Sequence, residues 1–338
     1  MSKPPTPKRV QMGDIARMAG VSTATVSRAM SGHPSIPPAT RERITELARS
    51  LNYQVNAGAA NLRKGELRSV AVCILTEQSQ PIHDPFVLSL VGHLADELDR
   101  LDYAVVLTRA SMDRPERITQ AYDSGRAAGI IVIGQFAEPM QLNLPSMRGV
   151  PMVVWGAALP DMHYPVVGTD NRHGGYLACQ HLLARGCRRI AFVGEHEHPE
   201  SMMRFQGYQL AHQANGLASE PQLCVKTPYS PAQARTRFSQ WLDEGHAFDG
   251  VMCVSDVIAI NVIAALSERG IRVPQDVKVT GYDDVEMASH VHPSITTVRQ
   301  PVDAAAQHLV AQLLQRLKGE PALGSLLATD LLVRESTG

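Results

Sequence analysis

The chain has 338 residues, 44% hydrophobic and 19% charged. This globular balance excludes a disordered or collagen-like polymer and leaves room for two or three packing units. The net charge of −1 is unevenly spread: residues 1–68 hold eleven Lys and Arg against four acids, a net +7, which leaves −8 for the remainder. A basic head on an acidic body points to a polyanion as the head's partner, although a basic tail that only aids solubility would carry the same charge.

In chain order, Gly13 to Met18 starts a helix that places Ile15, Met18 and Ala19 at inward spacing. Gly20 follows where a left-handed residue would end it. Val21 is expected to point inward and Ser22 to cap a second helix, Thr23 to Met30. That helix turns Val26, Ala29 and Met30 inward and Thr23, Ala24, Ser27 and Arg28 outward. A third helix fits Pro38 to Ser50, with Ile44, Leu47, Ala48 and Leu51 closing a small core. Two short helices joined by a tight Gly-containing turn make a helix-turn-helix, whose second helix enters the DNA major groove. A generic helical hairpin would share this spacing.

From about Leu67 apolar runs alternate with amphipathic segments. SVAVCIL, YAVVLT, GIIVIG and PMVVWG read as buried strands. They are separated by helices from about Pro85 to Leu101 and near Pro115 to Ala128. VVGTD opens a second set with RRIAFVG, FDGVMCVS and VKVTGYDD, interleaved with helices at Gly175–Ala184, about Glu200–Ala214, PAQARTRFSQWL and VIAINVIAALSERG. The predicted class is α/β, with two units of parallel sheet flanked by helices. SITTVRQ is expected back in the first unit and LLATDLLVRES in the second. Ligands of such sheets bind beyond the carboxyl ends of the strands, here in a cleft between the units.

DIARMAGVSTATVSRAMSGHPSIPPATRERITELARSLNYQVNAGAANLR resembles the DNA-binding head and hinge of the lactose/galactose repressor (LacI/GalR) family of transcriptional regulators. TDNRHGGYLACQHLLARGCRRIAFVG, MRFQGY, VSDVIAINVI, VTGYDDVEMA and HPSITTVRQP extend the resemblance through the body, which is similar to the family's periplasmic-binding-protein-like core. The resemblance implies a helix-turn-helix domain over residues 1–54, a hinge over 55–66, and an effector-binding and dimerisation core over 67–338. Within the core, an N-subdomain would take about 67–165 and 296–324, and a C-subdomain about 166–295 and 325–338.

It also implies roles, residue by residue. Thr23 and Ala24 would read base edges at the start of the recognition helix, Thr25 and Ser27 would position that helix, and Arg28 would reach a guanine edge or a phosphate. Asn56 matches the hinge asparagine and Leu62 the leucine that wedges into the central minor-groove step. The hinge departs from pattern at Val55 and Ala60, where the family usually has Pro and Arg; Arg63 and Lys64 could replace the lost phosphate contact. Cys187 stands where the family usually has His.

In the cleft, Asp84 and Phe86 match the family's DPF/NPF motif, Arg204 its effector-binding arginine, and Asp283 the end of GYDD. Asp170, Ser255 and Asp256 lie at strand ends. Carboxylates and one guanidinium beside an aromatic face suit a polyhydroxylated ring, with Tyr229 or Trp155 as the stacking face. Asp170 is equally suited to capping its helix, Asp256 to capping its helix or to an inter-subunit contact, and Arg204 would also suit an anionic ligand.

The expected function is ligand-controlled repression of carbohydrate uptake or catabolism genes: the protein is released from, or loaded onto, a palindromic operator by a small sugar-like effector. Two heads on a palindrome imply a homodimer, paired through Pro85–Leu101 and the region after GYDD. No leucine heptad follows that would pair dimers into tetramers. GxSxG, HExxH, P-loop and Rossmann fingerprints are absent, so no enzyme and no cofactor are expected. Glu195 to Glu200 (EHEHPE) reads as a solvated loop rather than a metal cluster. Five cysteines (Cys73, Cys179, Cys187, Cys224 and Cys253) form no CxxC pair. They read as reduced thiols of a cytoplasmic protein, which has neither an apolar signal core nor a run of about 18 apolar residues for a membrane. The competing reading is a ligand-binding module whose head no longer reads sequence.

Overall fold

Three helices close the head around a few apolar side chains. They are α1 (Met12–Ala19), α2 (Thr23–Met30) and α3 (Pro38–Ser50). Ile15, Val26 and Ile44 are fully buried at their junction, with Ala16, Ala19, Ala29, Ile36 and Ala48 around them. Gly20 ends α1 at φ +66°, and the Ser22 hydroxyl accepts the Thr25 N–H at 3.1 Å, capping α2. Arg43 donates to the Ala19 carbonyl at 2.9 Å and ties α3 to the end of α1. Met18, expected inside, is 61% exposed and Ala16 takes its place: the closely approaching helices leave room for a methyl group but not for a thioether. The computed structural model describes residues 12–30, 33–51, 67–76, 83–136, 139–195, 198–227 and 231–338. The expected hinge residues Asn56 and Leu62, with Val55, Ala60, Arg63 and Lys64, lie outside them, as does Tyr229. Contacts divide the chain into Met1–Glu66 and Leu67–Gly338.

The second unit runs β1 (Ser69–Leu75), α4 (Pro85–Asp99), β2 (Ala104–Ala110), α5 (Gln120–Asp123), β3 (Gly129–Ile133), α6 (Met140–Met147), β4 (Met152–Trp155), β5 (Val166–Thr169), α7 (Asn171–Ala184) and β6 (Ile190–Val193). It continues with α8 (Pro199–Ala214), β7 (Cys224–Val225), α9 (Pro231–Asp243), β8 (Gly250–Cys253), α10 (Asp256–Ser267), β9 (Lys278–Asp283), α11 (Glu286–His290), β10 (Thr296–Arg299), α12 (Val302–Leu317), β11 (Ser325–Leu327) and β12 (Asp330–Leu332). The strands form two six-stranded sheets, ordered β11-β5-β4-β3-β1-β2 and β12-β10-β9-β8-β6-β7. All neighbours are parallel except β10 and β12. Strands such as GIIVI, MVVW, IAFV and GVMC are buried along their whole length, as expected where helices cover both faces of a parallel sheet.

The subdomain boundaries differ from the expected ones. β5 pairs with β4 through Val154 and Val166, so residues 166–169 belong to the first sheet. β10 pairs with β9 through Thr297 and Gly281, so SITTVRQ stays in the second. β11 joins the first sheet and only β12 the second. The chain therefore passes between sheets after β5, after β10 and after β11. Strand–helix alternation reports that strands are buried; it does not report which sheet each one joins. The helix expected near 115–128 is a 3₁₀ turn, Pro115–Ile118, followed by the single turn α5. Its buried apolar residues are Ile118, Ala121 and Ala127, too few for a longer amphipathic face. Helix α6, unpredicted, contains Pro145 and leaves Met140, Leu144 and Met147 exposed.

Helices α7 and α8 cross at glycines. A Cβ on Gly175 would lie 2.2 Å from the Arg204 carbonyl oxygen, and one on Gly207 would lie 2.1 Å from that of Arg172. Both neighbours are helix backbone and cannot swing aside. This close approach fixes the depth at which Arg204 enters the second subdomain. Gly207→Ala is therefore expected to cost about 1–3 kcal/mol, read as a lower urea midpoint of the full chain; an unchanged midpoint would mean that the helices can separate freely.

Candidate functional site

The outer face of α2 carries the residues expected to meet DNA. Thr23, Ala24 and Arg28 are exposed, and Thr25 and Ser27 are half-buried. The Thr25 hydroxyl lies 2.9 Å from that of Ser22 and so belongs to the helix cap. The side chains at 23, 24 and 28 rise from a helix whose other face is locked by Val26 and Ala29. This is the arrangement a recognition helix needs.

The cleft candidates sort into two kinds. Asp84, Asp170 and Ser255 cap the helices that begin beside them, accepting the N–H groups of Val87 at 3.0 Å, His173 at 2.9 Å and Ile258 at 3.3 Å. Asp256 is fully buried and both its oxygens are engaged: Thr297 donates its hydroxyl to Oδ1 at 2.6 Å and Val285 its N–H to Oδ2 at 2.9 Å. These four hold strand ends and helix starts in place.

Phe86, Arg204 and Asp283 form the second kind. Arg204 is only 5% exposed. Its Nε donates to Asn171 Oδ1 at 2.8 Å and its Nη1 to the Val254 carbonyl at 2.6 Å. Nη1 lies 3.6 Å from Asp283 Oδ1, and the guanidinium carbon sits 3.6 Å over the Tyr282 ring. Asp283 and Asp284 follow at φ 108° and 58°. Positive φ at a non-glycine residue costs about 1–3 kcal/mol, so the surroundings must hold it. Asp256 does so through Val285, Arg334 through Asp284 Oδ1 at 2.6 Å, and Gln300 through Asp283 Oδ1 at 2.7 Å. Phe86 packs against Trp155 with ring centroids 5.9 Å apart. A groove of about 410 Å³ opens between Phe86, Ser89, Asp283, Gln300 and Val302.

Burial pushes the Asp283 carboxyl well above the usual carboxylate range, while Arg204 pulls it back. It also pushes Asp256 to about 7, against the Thr297 and Val285 hydrogen bonds that favour the charged form. Such a site offers a carboxyl, an amide and an aromatic face to a ligand rich in hydroxyls. The Arg204 donors shown already meet an amide oxygen, a carbonyl and a carboxylate, which lowers its value as an anion receptor. Gln300, Ser89 and Val302 were not among the predicted site residues. Gln300 had a signal, as the last polar residue of the family string HPSITTVRQP. Glu200, expected in a solvated loop, instead stands in the first turn of α8, and burial raises its carboxyl. No group of three His, Cys, Asp or Glu that could hold a metal ion occurs among the described residues. Nor is any helix among them long and apolar enough to cross a membrane.

Two family descriptions match the chain: "Bacterial regulatory proteins, lacI family" over residues 11–56 and "Periplasmic binding protein-like domain" over residues 179–337. Together they span more than half of it. The HTH-type transcriptional regulator CelR of Thermobifida fusca is 29% identical over 335 residues, which cover 97% of this chain and 98% of CelR. A solved complex of a transcriptional regulator CelR with cellobiose superposes with a TM-score of 0.72 at 28% identity, covering 97% of this chain and 100% of that one. A lac repressor dimer bound to operator and an anti-inducer superposes at 0.85, covering 98% and 99%; at 24% identity this shows a shared fold.

Because the folded-state value of Asp256 is raised to about 7, the native chain binds a proton that the unfolded chain releases near pH 4. Stability from this group is full below about pH 4 and is lost as pH rises towards 7, at no more than about 1.4 kcal/mol per pH unit. Asp256→Asn is expected to flatten that slope in urea unfolding between pH 5 and 7. An unaltered slope would show that Asp256 is ionised throughout this range.

Proposed function

The chain belongs to the LacI family of bacterial regulatory proteins and is a DNA-binding transcriptional regulator, and we propose that it is a homodimeric repressor which a neutral, sugar-like effector releases from a palindromic operator. The observation that carries the effector reading is the convergence of Phe86, Asp283 and Gln300 on one groove, with Arg204 paired behind them. A carboxyl and an amide can exchange hydrogen bonds with vicinal hydroxyls, and the Phe86 ring can lie against the apolar face of a sugar. A phosphorylated effector would have to take Arg204 from Asp283, Asn171 and the Val254 carbonyl, and would face Asp283, Asp284 and Glu286 as well. The binding of cellobiose by a CelR protein, which shares this fold, agrees with a neutral ligand.

The DNA reading assigns Thr23, Ala24 and Arg28 to base edges or phosphate, Thr25 and Ser27 to placing the helix, and Asn56 and Leu62 to the minor groove. Residues 1–54 are the reader, 55–66 the hinge and 67–338 the effector core, in a cytoplasmic protein acting on carbohydrate genes. The dimer surface is assigned to α4 and the segment after β9, where Leu88 and Met287 are exposed. Effector binding favours one arrangement of the two subdomains and operator binding the other, so each weakens the other by the same factor.

Purified protein is expected to select one palindrome from genomic fragments at fixed salt. Non-selective binding with steep salt dependence would replace this reading with that of a module whose head has lost specificity. Arg28→Ala is expected to weaken the selected fragment by about tenfold. Asp283→Asn, which keeps the shape of the side chain, is expected to retain operator affinity and lose release by the sugars that act on the wild type. Normal release in that variant would remove Asp283 from the site.

A further inference from the structure

Gln300 occupies a special place in the chain. It follows β10 in the second sheet and precedes Pro301 and α12, the helix that packs on the first sheet. Thr169 is the last residue of β5 in the first sheet, just before the chain crosses to α7. The two residues therefore stand at two of the three passages between the sheets, and both are buried. The Thr169 hydroxyl donates to Gln300 Oε1 at 2.9 Å, and Gln300 Nε2 donates to Asp283 Oδ1 at 2.7 Å. The amide nitrogen thus faces Asp283 and the amide oxygen faces Thr169. One planar group thus fixes two strand ends that belong to different sheets.

We infer that Gln300 is a positioning residue that couples Asp283 to the crossing at Thr169, so that a ligand hydroxyl competing for Asp283 Oδ1 also loosens the junction between the two subdomains. Oδ1 is the atom shared with Arg204, and the groove that exposes Asp283 also exposes Gln300. A hydroxyl entering there meets both partners of the 2.7 Å bond at once. When Asp283 is taken, the amide turns to serve the ligand, and Thr169 loses the acceptor that ties β5 to the second sheet. The inference rests on Asp283 as the effector's partner, but its test needs neither effector nor operator. It can therefore fail while that reading stands.

Hydrogen exchange of the full-length chain reads the coupling directly. Thr169→Val keeps the shape of the side chain and removes its hydroxyl. It is expected to speed exchange at the amides of residues 283–286 about tenfold, the cost of one net hydrogen bond. Thr169→Ser, which keeps the hydroxyl and loses the methyl, is expected to leave those amides as in the wild type, and Gln300→Leu to reproduce the valine variant. The Tyr282 hydroxyl also faces Thr169, so Tyr282→Phe serves as the control and is expected to leave residues 283–286 unchanged. The inference is overturned if the valine variant changes exchange only around residue 169. It is equally overturned if serine loosens the segment more than valine does, or if Tyr282→Phe matches valine while Gln300→Leu has no effect. Should Gln300→Leu fail to fold, the valine and serine pair still decides.

Discussion

A guanidinium removed from water has to be surrounded, and the cleft end of the second sheet is organised round that requirement at Arg204. Four of its partners come from three places in the sequence: Asn171 at the start of α7, the Val254 carbonyl after β8, and Tyr282 and Asp283 at the end of β9. Losing one partner of such a buried pair costs about 3–5 kcal/mol, because the other charge is left uncompensated. The two glycines at the α7–α8 crossing let Arg204 reach this depth. The left-handed turn at Asp283 and Asp284 brings the carboxyl to meet it. A ligand that addresses Asp283 therefore addresses the most tightly constrained point of the subdomain, and its binding energy is felt by every element that contributes a partner.

The head works by a different economy. Its core is three fully buried aliphatic side chains and a ring of alanines, enough to fix the angle between α1 and α2 and little more. Specificity there depends on which side chains are left outside. The short inward face of α2, Val26 and Ala29, leaves Thr23, Ala24 and Arg28 on the exposed side of the helix. The reading surface can change from one regulator to another while the scaffold stays. In the body the opposite holds: the side chains that define the site are also those that hold it together.

That contrast explains what could be read from the sequence. In the head, contacts are local, and spacing alone placed α2 at Thr23–Met30 and α3 at Pro38–Ser50, the bounds observed; only Met18 was turned the wrong way. In the body, every long buried strand was visible as an apolar run, but its sheet was not, because β5 and β10 join neighbours through backbone pairing that leaves no trace in composition. A cue lay in Gly168, where a Cβ would come within 1.8 Å of the Gly156 carbonyl oxygen on the adjoining strand end. Among the cleft residues, Phe86, Arg204 and Asp283 converge as the motifs implied. Asp84, Asp170, Ser255 and Asp256 share the same strand ends but spend their polar atoms on backbone and neighbouring side chains. Motif position locates a residue at the mouth of the site; only geometry tells whether its polar atoms are spent there on structure.

Three passages between two sheets also constrain how the body can move. A single linker would let the subdomains rotate about any axis, whereas three roughly adjacent crossings permit little beyond opening and twisting about the line that joins them. Motion of that kind changes distances little at the crossings and much at the far edges, so a small polar contact at the crossing has leverage over a large displacement elsewhere. A hydrogen bond is suited to such a place because its strength depends on angle as well as distance, so a small rotation at the crossing is enough to weaken it. For an effector to shift the balance between two arrangements it must bind one better than the other. A site that borrows its partners from both sides of the crossings meets that condition through its construction: the groove is lined by Phe86 from the first subdomain and Asp283 from the second, so a ligand that touches both must respond to the relative placement of the two subdomains.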